Sequence, residues 1–279
     1  MSPRQCKRRR LATPRPRSRD FIVTIYTLEM LKDYFNAVKD ERLRAFLYQS
    51  VEPCIYLVPN KAAKIDLGRS CLEGKPHLPD GIEWPTHRRH PLTFLAQINL
   101  GDIPTNSAPL PSSGMLYFFY REHQPMLDPY TELIYLSDEQ AAPRSLEKRT
   151  QPVPRGSFAV PNPMSVALDL VPGFTLPNPY RSHMGRYSNI DEHLFELYHS
   201  LYDDWQDQFQ PSTHWLFGHK NVRANQSSSI VTQLGHFDFG AEMLFESWEY
   251  SYLSVEIDCQ ALERLDFSNI HGRIKCWWD

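Results

Sequence analysis

The stretch Lys75–Pro104, KPHLPDGIEWPTHRRHPLTFLAQINLGDIP, constrains what this chain can fold into more than any other. Its turn-rich approach, Pro76-His-Leu-Pro-Asp-Gly81, delivers Trp84-Pro85. Leu92–Leu100 follows, with Phe94, Ala96, Ile98 and Leu100 on one parity, the period of a strand with one buried face. Gln97 takes the opposite parity, with Thr93, Leu95 and Asn99. The segment stops at Gly101-Asp102-Ile103-Pro104. The abundance of Pro (23) over Gly (12) suits many short strands joined by turns and irregular loops.

Before this segment, Phe21–Tyr26 reads as a strand and Thr27 as the cap of a helix with Leu28, Leu31, Tyr34, Phe35 and Val38 along one stripe. Asp40 starts a second helical turn carrying Leu43, Phe46 and Leu47; Cys54–Pro59 reads as a strand and Lys61–Lys75 as a polar loop. After it, the continuous apolar run Met115–Tyr120 (MLYFFY) predicts a strand buried on both faces. Thr131–Leu136 and Ser165–Val171 have strand character, separated by a Pro-rich connector at 141–163. Asn189 with Glu192 three residues on resembles a capping box, and Leu194, Phe195, Tyr198, Leu201, Tyr202, Trp205 and Phe209 keep helical spacing as far as Pro211. Ile230–Leu234, Tyr252–Ile257 and Arg273–Trp278 read as strands, and Leu262–Ser268 as a turn or short helix.

Charge is split along the chain. Residues 1–19 hold eight Lys or Arg and no acid, which predicts a disordered basic tail over 1–20 ahead of one domain over 21–279. The remaining 22 basic and 33 acidic residues give 20–279 a formal charge of −11. An acidic body disfavours nucleic acid, except through the 1–19 tail, and favours a basic protein partner. The outer face of the long helix concentrates that charge at Glu196, Asp203, Asp204 and Asp207, a candidate partner-binding face. Apolar runs fall far short of the roughly 20 residues a spanning helix needs. No apolar segment follows the basic N-terminus as a signal peptide requires, and five scattered cysteines with no CxxC spacing point to reduced thiols in the cytoplasm.

No reaction can be read from the motifs. Gly-rich phosphate loops, HExxH, GxSxG and HxE…PCxxC are all missing. His87 and His90 lack a third ligand nearby, His214 and His219 read as structural residues that bond loop backbone, and Cys71 has no assigned base. No catalytic residue, metal or cofactor is expected.

Four separated blocks resemble the YwqG-like family, a domain family of unknown function. They are Gly74-Lys75-Pro76-His77-Leu78-Pro79 with Gly81 and Trp84-Pro85; Pro91–Leu100; Leu110-Pro111-Ser112-Ser113-Gly114 with Met115–Phe119; and His214–His219 closing with Gln226. Leu262–Ser268 is similar as well, and together the blocks span about 52–279. The resemblance implies a single mainly β fold, a bent sheet or roll carrying a few packing helices, with no established catalytic residues. It departs from the family at Glu73-Gly74-Lys75, where paired glycines are usual, and at Trp248–Tyr252, where a W-G-D-x-G pattern is lost.

The polar positions of those blocks, with Trp84, make a candidate binding set of Trp84, Gln97, His214 and Gln226. Gln97 is read first as a pin for loop backbone and Trp84 as a core plug. Relatives resembling immunity or accessory proteins beside bacterial toxins imply a non-enzymatic binding protein for a basic partner such as a toxin. The alternatives are a small-molecule or glycan-binding domain at those four residues, or an enzyme of unfamiliar type.

Overall fold

A computed structural model describes residues 28–104, 109–121, 130–141, 146–150, 152, 164–179, 191–219, 231–238, 251–268 and 270–276. The expected strand at Phe21–Tyr26, the Thr27 and Asn189 caps, most of the Pro-rich connector, the Trp248–Tyr250 departure and Gln226 lie outside them.

Two short helices lead. They are α1 (Leu28–Asn36) and α2 (Glu41–Ser50), the latter capped by Asp40, whose carboxylate accepts from Leu43 N at 2.9 Å. Strands β1 (Glu52–Asn60), β2 (Cys71–Leu72), β3 (His77–Pro79), β4 (Thr86–His87), β5 (His90–Pro91) and β6 (Thr93–Asn99) follow. Then come β7 (Met115–Tyr120), β8 (Thr131–Leu136), β9 (Leu146–Lys148) and β10 (Val166–Thr175). The long helix α3 (Glu192–Phe209) precedes β11 (Trp215–Phe217), β12 (Val231–Asp238), β13 (Ser251–Asp258), the one-turn α4 (Cys259–Glu263) and β14 (Ile270–Cys276).

Ten of the strands make one antiparallel sheet in the order β14-β13-β12-β11-β1-β10-β2-β6-β7-β8, and it curls until its two end strands approach each other. The fold is therefore mainly β, a bent roll with packing helices. One continuous core lines its concave side. Ile55 and Leu57 of β1 meet Ala96 and Ile98 of β6, Leu116 and Phe118 of β7, and Leu253, Val255 and Ile257 of β13, while Ala261 and Leu262 of α4 pack into the same cluster.

The convex side is covered in patches. Phe46, Tyr198, Tyr202 and Trp205 of α2 and α3 pack with Phe35 and Leu176 in a separate helical cluster. Over β6 and β7, the excursion through Leu78 and Leu92 buries Phe94, Tyr117 and Phe119. Between these, Cys54, Tyr56, Val171 and Trp215 form a small cluster on β1, β10 and β11.

Three expectations need correction. The parity across Leu92–Leu100 breaks at a bulge between Phe94 and Ala96, where one extra residue turns the strand over. Phe94 consequently packs on the convex side, while Leu95 joins Ala96, Ile98 and Leu100 in the concave core. The polar loop Lys61–Lys75 contains β2, which bridges β10 and β6 through two residues. The long helix is capped by Asp191, whose carboxylate accepts from Leu194 N at 2.9 Å, two residues after the expected Asn189 start.

Candidate functional site

The geometry is clearest around the residue that follows the β6 bulge by two positions. Gln97 is fully buried and its amide has three hydrogen bonds. Oε1 accepts from the His77 backbone N–H at 2.7 Å, and Nε2 donates to the Arg69 carbonyl at 2.7 Å and to His77 Nδ1 at 2.9 Å. His77 Nδ1 also accepts from Gly68 N at 3.0 Å, so the neutral ring carries its proton on Nε2. Burial, helped by the positive charge of Lys148, lowers the His77 pKa from 6.5 to about 4. The Tyr117 hydroxyl donates to the His77 carbonyl at 2.7 Å.

The neighbouring turn of chain is fastened in the same way. Ser70 Oγ accepts from Asn99 N at 2.9 Å and donates to Asp102 Oδ2 at 3.0 Å, and Asn99 Nδ2 donates to the Gly68 carbonyl at 3.0 Å. Residues 68–77 are thus tied to β6 and β7 by side chains rather than by sheet alone.

That pinned segment forms one wall of a cleft of about 770 Å³. Asp66, Leu67, Gly68 and Arg69 line it on this side, Asn99, Asp102, Gly114 and Met115 on the next, and Asp138, Ala141, Leu146 and Leu168–Leu170 complete it. The volume lies in the range of ligand-sized clefts. Its charged lining is four aspartates and one arginine. Asp169 is held by Arg69 at 3.2 Å and by Asn60 Nδ2 at 2.8 Å, and Asp66 pairs with exposed Lys64 at 2.7 Å. Asp102 and Asp138 have no cationic partner among the described residues. Gly114 narrows this wall with φ +103°, where a Cβ would meet the Leu136 carbonyl at 2.5 Å.

Residues 70–276 match the profile of a domain of unknown function, DUF1963. The chain belongs to this family. No curated protein matches it. The DUF1963 match begins at Ser70 and leaves out β1, although β1 sits mid-sheet between β10 and β11. The domain's sheet is incomplete without residues 52–60.

The expected site residues fall in different surroundings. Half-buried Trp84 donates from Nε1 to the Leu92 carbonyl at 2.8 Å and lies edge-on to Phe119 at 5.5 Å. The His214 ring tilts against Phe237 at 6.3 Å, and burial lowers its pKa. His219 Nε2 donates to the Ser50 carbonyl. Glu196, Asp203, Asp204 and Asp207 are exposed on α3, where Asp204 accepts from the Tyr34 hydroxyl at 3.0 Å and from Gln208 at 2.8 Å. Cys71 is buried and its thiol pKa is pushed up to about 12. His87 stacks on Tyr130 at 4.0 Å in the β4–β5 hairpin. Glu73 takes φ 55° at the position where paired glycines were expected.

His77, Ser70, Asn99 and the four cleft aspartates were not singled out from sequence. Asn99 shares the parity of Gln97 two residues on, and that pairing was the one available signal.

Proposed function

We propose that this DUF1963 chain is a cytoplasmic, non-enzymatic binding protein whose acidic cleft receives a basic protein partner, such as a toxin of the kind the YwqG-like resemblance implies. The observation that carries the reading is the charge of the cleft, where Asp102 and Asp138 face a ligand-sized space with no cation paired to them among the described residues. The −11 formal charge of residues 20–279 supports it, because a field of one sign steers a basic partner toward the opening. The pinning of residues 68–77 adds preorganisation: a wall already held by Gln97, Asn99 and Ser70 loses little freedom when a ligand docks.

The test is a binding titration of the full chain with a Lys/Arg-rich peptide and a charge-reversed control, repeated over increasing salt. The basic peptide binds and weakens with salt, and the acidic one does not bind. Asp102→Asn with Asp138→Asn weakens binding by roughly tenfold, two partly exposed charges each contributing up to about 1 kcal/mol. Equal binding by the double variant and the parent chain overturns the cleft as the site.

A further inference from the structure

The cleft is not acidic alone. Leu67 on its wall is 46 % exposed, and Leu146, Leu168 and Leu170 line it as well. Lys and Arg side chains lay their apolar stems along such surface while their charged heads reach carboxylates. The acidic face of α3 offers Glu196, Asp203, Asp204 and Asp207 on an exposed convex helix, where ion pairs stay solvated and contribute little. Of the two acidic surfaces, the cleft is the better receptor for a basic run.

The chain itself carries such a run. Residues 1–19 hold eight Lys or Arg and no acid, with four consecutive at Lys7-Arg8-Arg9-Arg10. They lie outside the described residues, and the described chain begins at Leu28 of α1. Helices α1 and α2 pack with Val51 and Leu176, at the place where β1 begins and β10 finishes. The cleft lies at the opposite end of that strand pair, where Asn60 bonds Asp169 of the cleft wall. The length of β1 at about 3.3 Å per residue sets the two places roughly 25–30 Å apart. Arg10 stands 18 residues before Leu28. A coil of that length has a root-mean-square span of roughly 21–25 Å and an extended reach of about 60 Å. Tether and distance match, which is where a tethered ligand reaches its highest effective concentration, on the order of millimolar.

We propose that the Lys7–Arg10 run of the chain's own N-terminal tail occupies the acidic cleft and competes there with the basic partner. The proposal rests on the reading of the cleft as that partner's site. A tethered competitor lowers the partner's apparent affinity by the fraction of time the cleft is filled. An effective concentration of about 1 mM acting on a tail affinity of about 0.1 mM weakens the partner roughly tenfold. The tail therefore makes the cleft selective: a stray basic segment is held off, and a partner that binds more tightly than the tether displaces it.

The experiment compares the full chain with a variant carrying Lys7→Gln, Arg8→Gln, Arg9→Gln and Arg10→Gln, each titrated with the Lys/Arg-rich peptide. The variant binds the peptide about tenfold more tightly, and the gain disappears when Asp102→Asn and Asp138→Asn are present in both chains. A water-soluble carbodiimide, which joins an amine to a carboxylate only in direct contact, locates the tail in the parent chain. Mass spectrometry of the digest shows Lys7 joined to Asp102 or Asp138 of the same molecule. Equal peptide affinity with and without the tail charges overturns the tail's role and leaves the cleft as the partner's site. A gain that persists in the Asp102→Asn, Asp138→Asn background shows general repulsion and overturns it too, as do Lys7 links to the α3 aspartates or to another copy. Peptide binding by neither chain overturns the reading of the cleft, and the tail proposal with it.

Discussion

On β6 the buried amide of Gln97 has three hydrogen bonds, whereas on β13 the buried Ser254 hydroxyl and Glu256 Oε1 have none among the described residues. Both sets lie on the convex side of the same curled sheet, and both are shielded from water. The low dielectric that strengthens a satisfied network is what makes an unpaired group costly. Gln97 therefore has a structural account complete within the chain: it fastens Arg69 and His77 to the sheet and so shapes the cleft wall. At Glu256 one carboxylate oxygen, Oε1, has no such bond among the described residues.

Breaking the Gln97 hydrogen bonds should give the largest effect. Gln97→Leu keeps nearly the same volume but orphans the His77 N–H and the Arg69 carbonyl in the interior. Each orphan costs about 1–3 kcal/mol, so chemical denaturation should show a loss of about 3 kcal/mol or more. A loss below about 1 kcal/mol would mean that water reaches these groups and that the wall is not pinned.

Acid gives a graded version of the same break. The folded pKa of His77 lies near 4, below the ordinary 6.5, so the unfolded chain binds the proton more tightly. Stability is then fully present above pH 6.5, falls as pH drops toward 4, and changes no further from this group below that. The shift corresponds to at most about 3 kcal/mol. Urea midpoints across this window, compared with those of His77→Gln, isolate the contribution; identical pH slopes in the two chains would remove His77 as its source.

The sequence showed the elements more readily than the site they build. MLYFFY is buried at all six positions of β7, as an uninterrupted apolar run in mid-sheet must be, and the α3 stripe from Leu194 to Phe209 faces its own cluster. Period-two reading failed at Leu95 because parity carries no signal for an inserted residue, and every side chain before the bulge changes sides. β2 was missed because two residues in a polar loop are too few to show a period. The cleft was illegible for a different reason. Asp66, Asp102, Asp138 and Asp169 stand more than thirty residues apart in sequence, and only the curl of the sheet gathers them. Glu256 looked like an ordinary polar position in an alternating strand, since the sequence does not tell which convex positions are covered.

The smallest expected effect is the one that most sharpens the comparison. Glu256→Gln fills the same space with an amide, at a position where one carboxylate oxygen, Oε1, has no hydrogen bond among the described residues. If Glu256 were like Gln97, the substitution would break bonds and destabilise the fold by a few kcal/mol. With Oε1 unbonded, the thermal midpoint should move by an amount equivalent to about 1 kcal/mol or less. A loss as large as that of Gln97→Leu would instead place Glu256 beside Gln97 as a structural residue.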